Sequence, residues 1–184
     1  MSKRMKATVS GLAMLLAALL IASPALRATQ GAKDSGEING LLADAQTESG
    51  ILKVDTAELE TFTRSNLNWK TFASKLDQIK DHVNKVGELT AKLNSTRDSG
   101  SAWQQDAIDH INPLLRDLAS SVTAAINHLS EHQSLVHSTH YREYVQTTHQ
   151  QASNLAGLIA DYVDYGKSKD KMEALAKELD TPDR

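Results

Sequence analysis

One stretch limits the fold more than any other. From Trp69 to Leu93, the residues Trp69, Phe72, Leu76, Ile79, Val83, Val86, Thr90 and Leu93 step by three and four, and only Thr90 is polar. An apolar row repeating about every 3.5 residues is the seam of a helix packed lengthwise on other helices. A helix of that length spans roughly 40 Å at about 1.5 Å per residue. It needs partners of similar length, and the remaining segments supply them.

The first partner is a helical region from about Glu37 to Arg64. Ile38, Leu41, Ala45, Leu52, Leu59 and Phe62 fall on one seam, with Leu42 and Ile51 beside it. Glu48 and Asp55 interrupt that seam. Gly50 costs about 1 kcal/mol relative to alanine inside a helix, and Asp55-Thr56-Ala57-Glu58 matches a capping box. The region is therefore one irregular helix or two collinear pieces broken near 50–55, and one irregular helix is favoured. Ser65-Asn66-Leu67-Asn68 forms the turn, with Asn66 or Asn68 as the next N-cap. That turn sets Phe62 opposite Phe72 in an antiparallel pair.

Ser101-Ala102-Trp103-Gln104 is a capping box for a third helix. Its seam runs through Ile108, Ile111, Leu115, Leu118, Val122, Ala125, Leu129, His132 and Val136. Pro113 either kinks this helix or restarts it behind an Asn112 cap; the seam keeps its phase across the proline, which favours a kink. After a turn over residues 133–138, Ser138 or Thr139 caps a fourth helix. Its seam is Tyr141, Val145, Thr148, Ala152, Leu155, Ile159 and Tyr162. Gly166 either ends it, leaving Met172, Leu175 and Leu179 on a short last helix, or the helix runs on to about Leu179. Short connections between long helices force antiparallel neighbours. The expected fold is all-α, an up-down-up-down antiparallel four-helix bundle over residues 37–180, preceded by a cleavable signal peptide.

The signal peptide is read from residues 1–28. Lys3, Arg4 and Lys6 precede an apolar run from Ala7 to Ala22, followed by small residues that suit cleavage after Ala25 or Ala28. The run is shorter than the roughly 20 residues of a spanning helix and contains Thr8, Ser10 and Gly11, so an uncleaved anchor is the weaker reading. Residues 29–36 read as a flexible linker. The expected location is periplasmic or secreted, with no stable membrane insertion once the signal is removed. Four of the 20 basic residues lie in residues 1–28 and no acidic one does, so the mature chain carries 16 basic against 23 acidic residues, a net charge of −7. An acidic domain without a basic run is a poor partner for nucleic acid. The absence of cysteine excludes disulfides and thiolate metal sites.

Histidine is the sharpest chemical feature. His128, His132, His137, His140 and His149 bracket the second tight turn. His128 and His132 stand one helical turn apart on one face, and a turn near 137–139 brings His149 level with His128 on the next helix. His128, His132 and His149 are thus the candidate metal ligands, with Glu131 or Glu143 near enough in sequence to add an oxygen. The plainer account, which is favoured, makes His132 a half-buried seam residue and the others solvated. The Glu-x-x-His repeat of a di-iron bundle is missing. There is no Gly-x-Ser-x-Gly elbow and no glycine-rich phosphate loop. Leu89-Thr90-Ala91-Lys92 lacks the final glutamine of the Leu-Thr-x-x-Gln signature of exported helical stress chaperones, so no residue roles transfer from that family. The expectation is a non-catalytic exported bundle, without cofactor, acting in protein interaction or as a scaffold. The alternative is a periplasmic metal or small-ligand binder using the histidine end. A protein partner is expected, and a homodimer fits the same seams.

Overall fold

The computed structural model describes residues 33–180. The expected signal peptide and the linker up to residue 32 lie outside the described residues. The described chain is all-helical, with four long helices: α1 (Gly36–Phe62), α2 (Trp69–Thr96), α3 (Ala102–Glu131) and α4 (Thr139–Leu179). Single 3-10 turns at Arg97–Ser99 and Gln133–Leu135 sit in the second and third connections. Each helix packs on two others, in the cyclic order α1, α2, α3, α4. Cross-helix pairs show that neighbours run antiparallel. Asp55 meets Lys75 while the earlier Glu48 meets the later His82. Asp106 meets Tyr162 while the later His128 stacks on the earlier Tyr141. Asp34 meets Lys169 while the later Thr56 meets the earlier His149.

The α2 seam is buried as the spacing predicts: Phe72, Leu76, Ile79, Val83, Val86, Thr90 and Leu93 face the core, and Trp69 is half-buried. Thr90 donates its hydroxyl to the Val86 carbonyl at 2.8 Å, so its burial leaves no polar group unpaired. Each fully buried leucine or isoleucine in such a row contributes about 1.5–3 kcal/mol. Asn68 is the N-cap, accepting from the Lys70 N–H at 3.0 Å. Phe62 and Phe72 meet edge to face with centroids 5.8 Å apart, as the first turn requires.

α1 is one unbroken helix, but its buried row differs from the expected one. The buried residues are Ile38, Leu42, Ala45, Ser49, Leu52, Thr56 and Leu59, followed by Thr63 just after the helix. This row steps by four and three without a gap. It escapes an apolar count because three members carry hydroxyls. Ser49, Thr56 and Thr63 donate to the Gln46, Lys53 and Glu60 carbonyls at 3.2, 2.9 and 2.7 Å. Leu41 and Phe62 sit half-buried at the margin. Glu48 and Asp55 flank the core on the α2 side, where His82 and Lys75 meet them.

α3 runs through Pro113 as one helix, and Asn112 is no cap. Its amide exchanges hydrogen bonds with Asn94 across to α2, 2.9 Å each way. The Ser101–Gln104 capping box is present. Buried Gln104 does more than cap. Its carbonyl accepts from the Ser35 N–H at 2.9 Å, and its amide donates to the Ser35 carbonyl at 2.9 Å and to Asn39 at 2.8 Å. Asp34 accepts from the Trp103 indole at 2.9 Å and from Lys169 at 2.8 Å. Burial works against it, yet the bonds from Lys169, Ser101 and Trp103 hold the Asp34 carboxyl below the usual carboxylate range. Asp34 and Ser35, placed in the linker by composition, are therefore fastened to α3 and α4.

Gly166 does not end α4. A Cβ at this position would stand 2.8 Å from the edge of the Trp103 ring, closer than van der Waals contact allows. The helix continues to Leu179 and reaches 41 residues, against 27, 28 and 30 for α1, α2 and α3. Residues 170–180 are exposed throughout.

Candidate functional site

The histidine end is built where α3 stops and α4 starts. α3 ends at Glu131, and His132 leaves the helix with φ −134° and ψ 54°. His132 is accordingly exposed and off the seam expected for it, whereas Val136, the next expected seam residue, is buried in the turn. Ser138 caps α4 by accepting from the Tyr141 N–H at 3.1 Å.

Three imidazoles gather there: His128, His132 and His140. The His128 ring stacks on His132 at 4.8 Å and meets His140 at 5.2 Å, centroid to centroid. Tyr141 and Tyr144 complete the group, 5.6 and 5.3 Å from His128. His128 is half-buried, and its Nε2 has no hydrogen-bond partner; neither does the buried Tyr141 hydroxyl. Burial pushes the His128 imidazole below its ordinary value of 6.5, and neighbouring His132 and His140 push the same way against Glu131. Burial likewise raises the Tyr141 hydroxyl well above its usual value.

His149 stands elsewhere. Thr56 donates its hydroxyl to the Lys53 carbonyl, so its oxygen accepts from His149 Nδ1 at 3.2 Å. The reason is partly rotational and partly axial. Turn geometry sets the level of a residue along the bundle, whereas about 100° per residue sets the face it occupies. Relative to Tyr141, His140 and Tyr144 turn toward α3, while His149 turns by about 80° the other way, toward α1. Level separates His149 from His128 too: His128 meets residues 140, 141 and 144, so His149 lies roughly 8–13 Å further along α4. His140 takes the place beside His128, with Glu143 at 3.6 Å from its Nδ1. His137 serves the first turn, donating from Nε2 to the Leu67 carbonyl at 3.0 Å. Among the described residues no three ligand side chains are set to hold a metal ion.

A second titratable group lies on the α1–α2 face. His82 donates to Glu48 at 2.8 Å and stands 3.6 Å from Asp55, and Lys75 bridges Asp55 and Glu58 at 3.3 and 2.7 Å. These side chains tie the two helices together. At the other end of the bundle, the Tyr162 hydroxyl donates to Asp106 at 2.6 Å; burial and that bond raise its pKa to about 12.

The surface feature that sequence reasoning underweighted is apolar. The large hydrophobic side chains exposed among the described residues are Ile51, Val54, Leu135, Tyr165, Met172, Leu175 and Leu179. Four of these seven lie on the last fifteen residues of α4, at helical spacing on one face. The signal was the spacing of Met172, Leu175 and Leu179 together with the alternative in which the helix runs on to about Leu179; what the sequence left open was which alternative holds and how far that helix outruns its neighbours. Among the described residues no helix is long and apolar enough to cross a membrane. No family model matches the chain, and neither the curated proteins nor the solved structures contain a match to it.

Proposed function

We propose that this is an exported, non-catalytic helical bundle that works by binding another protein chain. The observation that carries the reading is the projecting end of α4. Met172 is 71% exposed and Leu179 86% exposed, on a helix that continues past the residues burying its neighbours. Leaving such side chains in water forgoes burial of about 1.5–3 kcal/mol each, and contiguous exposed apolar surface marks an interaction site. Export is supported by the basic, apolar and small-residue order of residues 1–28. A mature chain starting after Ala25 or Ala28 is the expected result of N-terminal sequencing, and a start at Met1 or Ser2 contradicts cleavage of the signal.

The binding claim is tested by placing a photoreactive side chain at position 172 in cells, with position 117 on the exposed face of α3 as control. A discrete adduct from 172 and none from 117 is expected. No adduct from 172 in normally expressed protein would remove the reading.

A second reading, metal or small-ligand binding at the histidine end, has one observation in its favour: the unpartnered Nε2 of His128 beside His132 and His140. The stacked rings must rotate before their nitrogens converge on one ion. Zinc titration of the protein and of its His128→Ala, His132→Ala variant tests it, and equal response of the two disposes of it.

A further inference from the structure

Resting on the reading that the α4 end binds a protein chain, we infer that its partner is a second copy of itself, paired antiparallel through Met172, Leu175 and Leu179. Tyr165, Met172 and Leu179 repeat every seven residues, and Leu175 stands three beyond Met172. These are the a and d positions of a heptad. In an antiparallel pair each a position faces a d position of the other helix. Met172 then faces Leu175 of the second copy, and Leu175 faces its Met172, about a twofold axis, while Leu179 of each copy lies over Ser168 of the other. An isologous contact of this kind is self-complementary and closes at two chains.

Charge selects both the direction and the partner. Lys171 and Glu178 precede Met172 and Leu179, so both flank the seam on the same side. Antiparallel pairing sets Lys171 of each copy near Glu178 of the other, giving two equivalent ion pairs. Parallel pairing instead brings Ala176 toward Lys171 and forms neither. No ion pair within the described chain occupies Lys171 or Glu178. Lys169, on the opposite flank, is already held by Asp34 and Glu173 at 2.8 and 3.4 Å. Antiparallel pairing also leaves the two bundles at opposite ends of the joined arms. The arm from Asp170 to Leu179 is roughly 15 Å long at about 1.5 Å per residue. Its few apolar side chains cover less than the roughly 800 Å² per partner of a standard stable interface. The dimer is therefore concentration-dependent, with dissociation in the micromolar range or above.

Sedimentation equilibrium from micromolar to millimolar concentration tests this with the full mature protein and three variants. The native protein should pass from monomer to dimer. Lys171→Glu and Glu178→Lys each replace two attractive pairs by two repulsive ones and should weaken the dimer roughly tenfold. The double exchange should restore it. Both residues are exposed, and circular dichroism verifies folding. A monomer at every concentration, or a dimer indifferent to the single charge reversals, overturns the inference. Should a monomeric protein still yield an adduct from position 172 to a different chain, the interaction reading stands and the second copy falls. Absence of both removes both.

Discussion

At the scale of single residues, His128 and Gly166 show most clearly how neighbours decide a side chain's behaviour. The native fold favours neutral His128, because burial and two adjacent imidazoles oppose its charge. The unfolded chain takes up the proton near 6.5 and the native chain at a lower pH. Between those values the unfolded state binds more protons, so stability is full above about pH 6.5 and falls as the pH drops through the native value. Melting at pH 7.5 against 5.5 should show a loss on acidification that shrinks in His128→Leu; an equal loss in both would remove His128 as its source. Gly166 is held small by Trp103, whose ring is fixed by Asp34 and by edge contact with Tyr165 at 5.4 Å. Alanine inside a helix ordinarily gains about 1 kcal/mol over glycine. At Gly166 the displaced indole should cost about 1–3 kcal/mol and reverse the sign. Gly157 has nothing within 4 Å of its would-be Cβ and serves as the control. Thermal melting should rise for Gly157→Ala and fall for Gly166→Ala.

At the scale of elements, legibility followed chemistry. The α2 seam was readable because nearly all its members are apolar. The α1 seam was not, because Ser49, Thr56 and Thr63 stand in it and return their hydroxyl protons to their own helix. Counting apolar residues then shifted the row toward Leu41 and Phe62 and made Glu48 and Asp55 look like interruptions. The two phases are separable by experiment. Leu42 is 1% exposed, and Leu42→Ala should cost about 2–5 kcal/mol in chemical denaturation. Half-buried Leu41→Ala should cost about 1 kcal/mol. The reverse order would restore the apolar-count seam. His149 stands apart from His128 for two reasons: the connection over residues 132–138 shifts the register so that His128 is level with residues 140–144, and phase turns His149 toward α1. The polar clasp of Asp34, Ser35 and Gln104 left no periodic trace, since it joins residues 69 apart in sequence.

At the scale of the whole molecule, α4 has two parts. Up to Lys169, α4 shares a core with α1 and α3; beyond it, the helix is exposed throughout the described residues, and contact with another chain is the role proposed for it. The apolar positions Met172, Leu175 and Leu179 were visible from the start, but only the lengths of α1, α2 and α3 show that nothing in the described chain covers them. The most direct test is the thermal unfolding, at low concentration, of a chain ending at Lys169. If the bundle is complete without the arm, its midpoint should stay within about 2 °C of the full chain, since residues 170–180 are exposed throughout and Lys169 loses its ion pair with Glu173 while keeping the one with Asp34. A fall of more than about 6 °C would mean that residues 170–184 belong to the core, and would contradict the arm.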